Sequence, residues 1–358
     1  MKKYLLLILA CTLALFMHIQ YGHSQTNALM EQQMRAIVDM SGKTVMTPGT
    51  VNRIVVTCQG GASHEVSVLG FADRIVGQPS MKSFPQFLKM FPHFNKIPDA
   101  GSFNTVNVEH IMTLKPDVVI ASVTSLQGNK KIESLGIPVI TVYTGRADTD
   151  RLMREFKMMG EVLGRAKQAD ALVRYWNDRL SLIRQRISAI PETKRKKVLY
   201  ASAGSSVAAQ SELGWGHYFI TESGGINVSR GFKIESGLVG LEQLLVWNPD
   251  VIITRAGNDL WGAGGSIKSS PRFSSIKAVK DNAIYTCPIG AFWWDRPSPE
   301  AILGIIWLTK TLYPEVMADV DLKKETIQFF RQFYNYLLSD KEYESFGAEM
   351  HYKSAGRN

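Results

Sequence analysis

Val106-Asn-Val-Glu109-His-Ile-Met-Thr-Leu-Lys-Pro116-Asp117-Val-Val-Ile120 aligns without gaps on Val239-Gly-Leu-Glu242-Gln-Leu-Leu-Val-Trp-Asn-Pro249-Asp250-Val-Ile-Ile253, 133 residues further along the chain. Glu precedes Pro by seven positions in both copies. In each copy the Glu opens a short amphipathic helix and a Pro-Asp turn follows. A continuous apolar run then reads as a parallel strand buried on both faces. The surroundings repeat as well. Residues 132–135 read as a short helix leading into a strand at 138–143, and residues 276–279 lead likewise into a strand at 283–287. Earlier strands at 53–57 and 197–201 open the two halves. Strands alternating with helices predict an α/β protein of two Rossmann-like lobes with mostly parallel sheets.

The segment between the halves is polar and helix-forming. Leu152, Phe156, Met159, Leu163 and Ala166 recur at spacings of three or four, the stripe of an amphipathic helix, and Pro191 closes it. The expected organisation is an N-terminal lobe at 41–146, one long linking helix at 147–190 and a C-terminal lobe at 191–358. A single helix is a stiff strut, so the cleft should lie between lobes that move little.

Ahead of the lobes, Lys2 and Lys3 precede an apolar stretch at 4–17, and Gly22-His23-Ser24 supplies small residues at the −3 and −1 positions. Residues 1–24 therefore read as a secretory signal peptide, too short in its apolar run to span a bilayer comfortably. A rival reading takes Ile8-Leu9-Ala10-Cys11 as a lipoprotein cleavage box with an anchor at Cys11, but few apolar residues precede it. Either way the chain is expected in the periplasm. The apolar fraction of 45% supports packed cores rather than disorder. Removing the two signal lysines lowers the formal charge from +9 to about +7, a basic balance that suits an anionic ligand or merely a basic surface. Only Cys58 and Cys287 would survive export, which excludes a disulfide scaffold and suggests two buried thiols.

The doubled Glu-x6-Pro-Asp-apolar unit, the helical spacer and the signal together resemble the class III solute-binding proteins of ABC importers. That family takes up ferric siderophores, vitamin B12, haem and some oxyanions and metal ions. The resemblance runs from about residue 41 to 346. It implies a monomeric binding protein that hands one ligand to a membrane permease, needs no cofactor and catalyses nothing. It also implies that Glu109 and Glu242 are the carboxylates, one per lobe, that dock onto permease arginines. As bare residues they could equally be first-turn acids favoured by the helix dipole.

A ligand held between such lobes sits at the carboxyl ends of the strands. Gln59-Gly-Gly-Ala-Ser63-His64 follows the first strand and opens a helix whose N–H groups could receive an anion. Ser63 and His64 are candidate contacts there. Trp215-Gly-His217-Tyr218 occupies the corresponding place in the second half, where Gly214 and Gly216 suggest a loop or a helix start. Phe292-Trp293-Trp294-Asp295-Arg296-Pro297 follows the last strand. Three consecutive aromatic residues cannot all enter one core, so Trp293 or Trp294 should border the cleft. Arg296, with its planar donor fork, is the leading group for neutralising an anion, against a structural pairing with Asp295 or Glu300. Gln78 to Lys82 is ambiguous, and Trp261 lies on a glycine-rich stretch that could also reach the ligand.

Other functions leave no trace. No G-x-S-x-G elbow, Walker A loop or dinucleotide fingerprint occurs, and no nucleic-acid-binding signature appears. No HxH or HxxxH spacing marks a cage for a bare divalent cation. Aromatic walls with a cation or two suit a pre-chelated metal, so a ferric siderophore leads the expected ligands. Molybdate or tungstate is second, since Arg296, His64 and the glycine turn could cradle an oxyanion, and haem or a corrinoid follows. A chelatase-like enzyme on a related two-lobed fold is the remote alternative.

Overall fold

The computed structural model describes residues 34–349, apart from 60, 145–146, 202–206, 209–213, 233–237 and 256–270. The signal segment, Cys11 and Trp261 lie outside the described residues. Two four-stranded parallel sheets carry the fold. In the first lobe β3 (Ile54–Val56), β4 (Ile75–Gly77), β7 (Val118–Ser122) and β8 (Val139–Val142) stand in the order β4-β3-β7-β8. In the second, β9 (Lys197–Ala201), β11 (Ile226–Asn227), β13 (Val251–Arg255) and β14 (Ile284–Cys287) stand in the order β11-β9-β13-β14. All of these pairings are parallel. The hairpin β1 (Met34–Val38) and β2 (Thr44–Pro48) extends the first lobe ahead of residue 41. Asp39, in its turn, ties it down by accepting the backbone N–H and hydroxyl of Thr141 at 3.1 and 2.6 Å.

The repeat is built the same way in both lobes, and the reasons can be read atom by atom. Helix α3 (Val108–Thr113) leads to β7 and helix α8 (Leu241–Trp247) leads to β13. Lys115 and Asn248, at equivalent positions just before the Pro-Asp pair, both take left-handed backbone (φ 47° and 40°). That turn ends each helix, and the proline that follows cannot continue it. The aspartates then clamp the neighbouring strand. Asp117 accepts the backbone N–H groups of Asn52 and Arg53, and Asp250 accepts that of Lys197 at 2.8 Å. A cation at each strand start caps the helix end: Arg53 Nη2 donates to Leu114 O at 2.7 Å, and Lys197 Nζ donates to Trp247 O at 3.0 Å. Each helix thus ends beside the amino ends of the strands, so its first turn lies toward their carboxyl ends.

The expected single linking helix is divided. Helix α5 (Thr149–Val162) is capped by Asp148, which accepts the Arg151 N–H at 2.6 Å, and packs on the first lobe. Helix α6 (Ala166–Ser188) packs on the second, against α7 (Trp215–Glu222) and α10 (Ala301–Leu312). The break falls at Gly164, whose φ of +65° only glycine adopts without strain. The turn back brings Gly160 so close that a Cβ there would lie 2.4 Å from the Ala169 methyl. The apolar spacing survives this break because both helices bury their stripe, so periodicity alone could not reveal it.

Each lobe has a small core cluster of its own, and a larger one is common to both. The larger cluster of buried apolar side chains runs from Phe84 and Phe87 of the first lobe to Phe292, Trp294 and Phe330 of the second. Helix α10, apolar from residue 301 to 308, lies inside it. Interlobe motion would have to open that packing, which is dense and resists continuous deformation.

Candidate functional site

Helix α1 (Ala62–Val68) follows β3 and helix α7 follows β9, so their first turns lie at the carboxyl ends of the two sheets, and Gly61 just before α1 meets the second lobe at Pro297 and Ser298. Contact there is tight. A Cβ on Gly61 would lie 2.6 Å from Pro297 O and 2.9 Å from Ser298 Cα, backbone that cannot step aside. The absence of a side chain at Gly61 is therefore a condition of lobe closure. Next to it, His64 is fully buried: its Nε2 bonds Ala291 O across the seam at 3.0 Å, and its ring packs against Phe87 and Phe292. Ser63 is also buried and donates to Gln78 Oε1 at 2.6 Å. Both residues join the lobes' shared packing rather than an open cleft wall.

The aromatic run resolves by burial. Phe292 and Trp294 are interior, whereas Trp293 is partly exposed and packs its ring edge-on to Phe84 of the other lobe, with centroids 4.6 Å apart. The expectation named both Trp293 and Trp294 as candidates for the cleft. The structure instead turns Trp294 inward, where its indole N–H donates to Glu300 Oε2 at 3.1 Å and its carbonyl abuts Gly304 of α10. Trp215 is likewise corrected. A helix starts on it despite the flanking glycines, and only 2% of its surface remains exposed, beside Trp176. His217 and Tyr218, in the first turn of that helix, stay partly exposed, with His217 Nδ1 3.4 Å from Asn227 Nδ2.

Arg296 is partly exposed, with its guanidinium 5.8 Å from the centre of the Tyr200 ring at the carboxyl end of β9. Its chain neighbour Pro297 is the residue that touches Gly61. Among the described residues no ion pair joins it to Asp295 or Glu300. Asp295 accepts the Tyr200 hydroxyl in a short bond. Glu300 spends its oxygens on Trp294, the Ala291 N–H at 3.1 Å and the Tyr334 hydroxyl at 2.8 Å. The structure thus brings Arg296, Trp293 and the helix start at Gly61 to one seam.

Sequence reasoning missed the buried acids inside the lobes. Burial raises the Glu300 carboxyl to about 7, partly offset by the hydrogen bonds it accepts. Glu65 of α1 and Glu155 of α5 form a second buried pair; burial pushes both up, Glu155 to about 7, and the Tyr143 N–H that Glu155 accepts at 2.6 Å pulls the other way. Glu65 is further raised by the charge of Glu155, so it holds the shared proton. Burial and these acids push the Cys58 thiol far above its usual range, and Cys58 and Cys287 stay buried and unbridged. One signal was available for Glu300: a lone carboxylate immediately before the apolar run at 301–308.

The profile of the periplasmic binding protein family matches residues 55–289. The chain belongs to that family. It is 28% identical over 330 residues to the molybdate-binding protein MolA of Haemophilus influenzae, covering 84% of this chain and 91% of that protein. Against the solved structure of MolA bound to molybdate the TM-score is 0.74 at 26% identity, with 85% of this chain and 99% of MolA aligned. A periplasmic solute-binding protein from Veillonella parvula gives a TM-score of 0.75 at 29% identity, over 87% of this chain and 96% of its own. The two-lobed fold expected from the repeat is the fold of these proteins, and such proteins are substrate-binding components of transport rather than enzymes.

Proposed function

We propose that this protein captures a small tetrahedral oxyanion of the molybdate or tungstate kind outside the cytoplasmic membrane and delivers it to an ABC importer. The observation that carries the reading is Arg296, a partly exposed guanidinium next to the Pro297 backbone that closes on Gly61. A planar fork of donors matches an oxyanion's oxygens, and the first turn of α7 adds N–H groups of favourable polarity. The likeness to MolA supports the same choice and moves the oxyanion ahead of the ferric siderophore. Trp293, His217 and Tyr218 line the approach. Export by the signal peptide at residues 1–24 belongs to this proposal.

Delivery falls to Glu109 and Glu242. Both are exposed in the first turns of α3 and α8, at matched places in the two lobes. Charged contacts of this kind steer and orient docking more than they add affinity. Native mass spectrometry of protein purified from its own periplasm tests the ligand. Added mass equal to a tetrahedral oxyanion supports the reading; the mass of a siderophore, haem or corrinoid complex overturns it.

A further inference from the structure

The repeat equates more than the glutamates. Ile111 and Leu244, at equivalent positions, are each 0% exposed and anchor their helices to the lobes. The next residues, Met112 and Leu245, are also equivalent by the 133-residue offset, and they point outward at 51% and 41% exposure. Val246 beside Leu245 is 77% exposed. Nine large apolar side chains are exposed among the described residues, and three of them sit on these two helices of six and seven residues. Residues three apart on a helix share a face, so each lobe presents a carboxylate and an apolar side chain together: Glu109 with Met112, and Glu242 with Leu245.

We infer that Met112 and Leu245 are the apolar half of a two-point docking surface for the extracytoplasmic face of the membrane permease. The inference rests on the docking role proposed for Glu109 and Glu242 and deepens it. A single exposed Leu or Met needs no explanation. Two at matched positions, each beside a matched carboxylate, fit a partner that itself presents two equivalent sockets, each a cation next to an apolar recess. On a chain of formal charge +9 these carboxylates face a complementary cation rather than following a general acidic surface. The two halves of each patch then divide the labour. The acid attracts over distance and is screened by salt, while the apolar side chain resists dissociation once water has left the contact.

The test is docking of the full-length mature protein, immobilised on a biosensor, to its permease–ATPase complex in lipid nanodiscs. Met112→Ser and Leu245→Ser should each raise the dissociation rate about tenfold, the effect of exposing one partly buried apolar side chain. Their association rates and salt dependence should match wild type, and so should melting temperature and molybdate binding. Leu337→Ser, at a still more exposed position away from these helices, serves as the control and should change nothing. Glu109→Ala and Glu242→Ala should lower the association rate and flatten its salt dependence. Unchanged dissociation of the serine variants, with slowed association of the alanine variants, overturns this inference and leaves the carboxylate docking intact. Wild-type docking by all four overturns both.

Discussion

Glu300→Gln replaces a buried carboxyl by a neutral amide of the same shape, and its effect on stability should depend on pH in a definite direction. In the folded chain Glu300 is 0% exposed and its carboxyl is raised from 4.5 to about 7 by burial. Between those values the folded protein holds a proton that the unfolded chain has released, so stability falls as pH rises. At about 1.4 kcal/mol for each pH unit crossed, this one group removes roughly 2–3 kcal/mol between pH 5 and pH 8. Glutamine mimics the protonated state. Its oxygen can accept from Trp294 and Ala291 as Oε2 does, and its amide can donate to the Tyr334 oxygen. Urea unfolding at pH 5, 6, 7 and 8, followed by far-UV circular dichroism, should find the two proteins within about 1 kcal/mol at pH 5. At pH 8 the variant should be the more stable by roughly 3 kcal/mol. The residual slope that both share comes from Glu65 and Glu155. Parallel curves for the two proteins would refute the reasoning, because Glu300 would then carry its charge in the fold without penalty.

Three further outcomes can be measured. Gly61→Ala drives a Cβ into the Pro297 carbonyl, so thermal unfolding should show a loss of about 1–3 kcal/mol, the usual cost of overpacking, together with weaker ligand binding. Wild-type stability would mean that the lobes separate freely there. Glu242→Arg should leave oxyanion affinity within a factor of about two while transport in reconstituted vesicles collapses; equal loss of both would assign Glu242 to the pocket or the fold. Trp293→Phe should abolish most of the ligand-induced change in tryptophan fluorescence, since Trp215 and Trp294 lie inside the core. A full signal in that variant would place the reporter elsewhere.

The fold was legible because its information is local and doubled. A seven-residue interval from Glu to Pro-Asp, repeated at a fixed offset, requires the same helix end, the same left-handed turn at Lys115 and Asn248, and the same aspartate clamp on a strand start. The break at Gly164 was not legible, because a turn between two amphipathic helices leaves the spacing of Phe156, Met159 and Leu163 undisturbed. The site was legible only in part. Alternation correctly limits how many of Phe292, Trp293 and Trp294 enter the core, but which one stays outside depends on Gly304 and Glu300, which the chain brings near only after folding. His64 misleads for a related reason. A histidine at a helix start after a glycine turn suits a ligand contact, yet here its partner is the carbonyl of Ala291, 227 residues away.

Calorimetric titration of the mature protein with sodium molybdate, for wild type and Arg296→Ala side by side, tests the central claim most directly. The account predicts one saturable site per chain in the wild type. In the variant, affinity should fall by about 2–5 kcal/mol, the loss expected when one partner of a buried charge pair is removed, with the melting temperature of the empty protein unchanged. Absence of binding to molybdate or tungstate by the wild type, alongside saturable binding of a ferric siderophore, would contradict it.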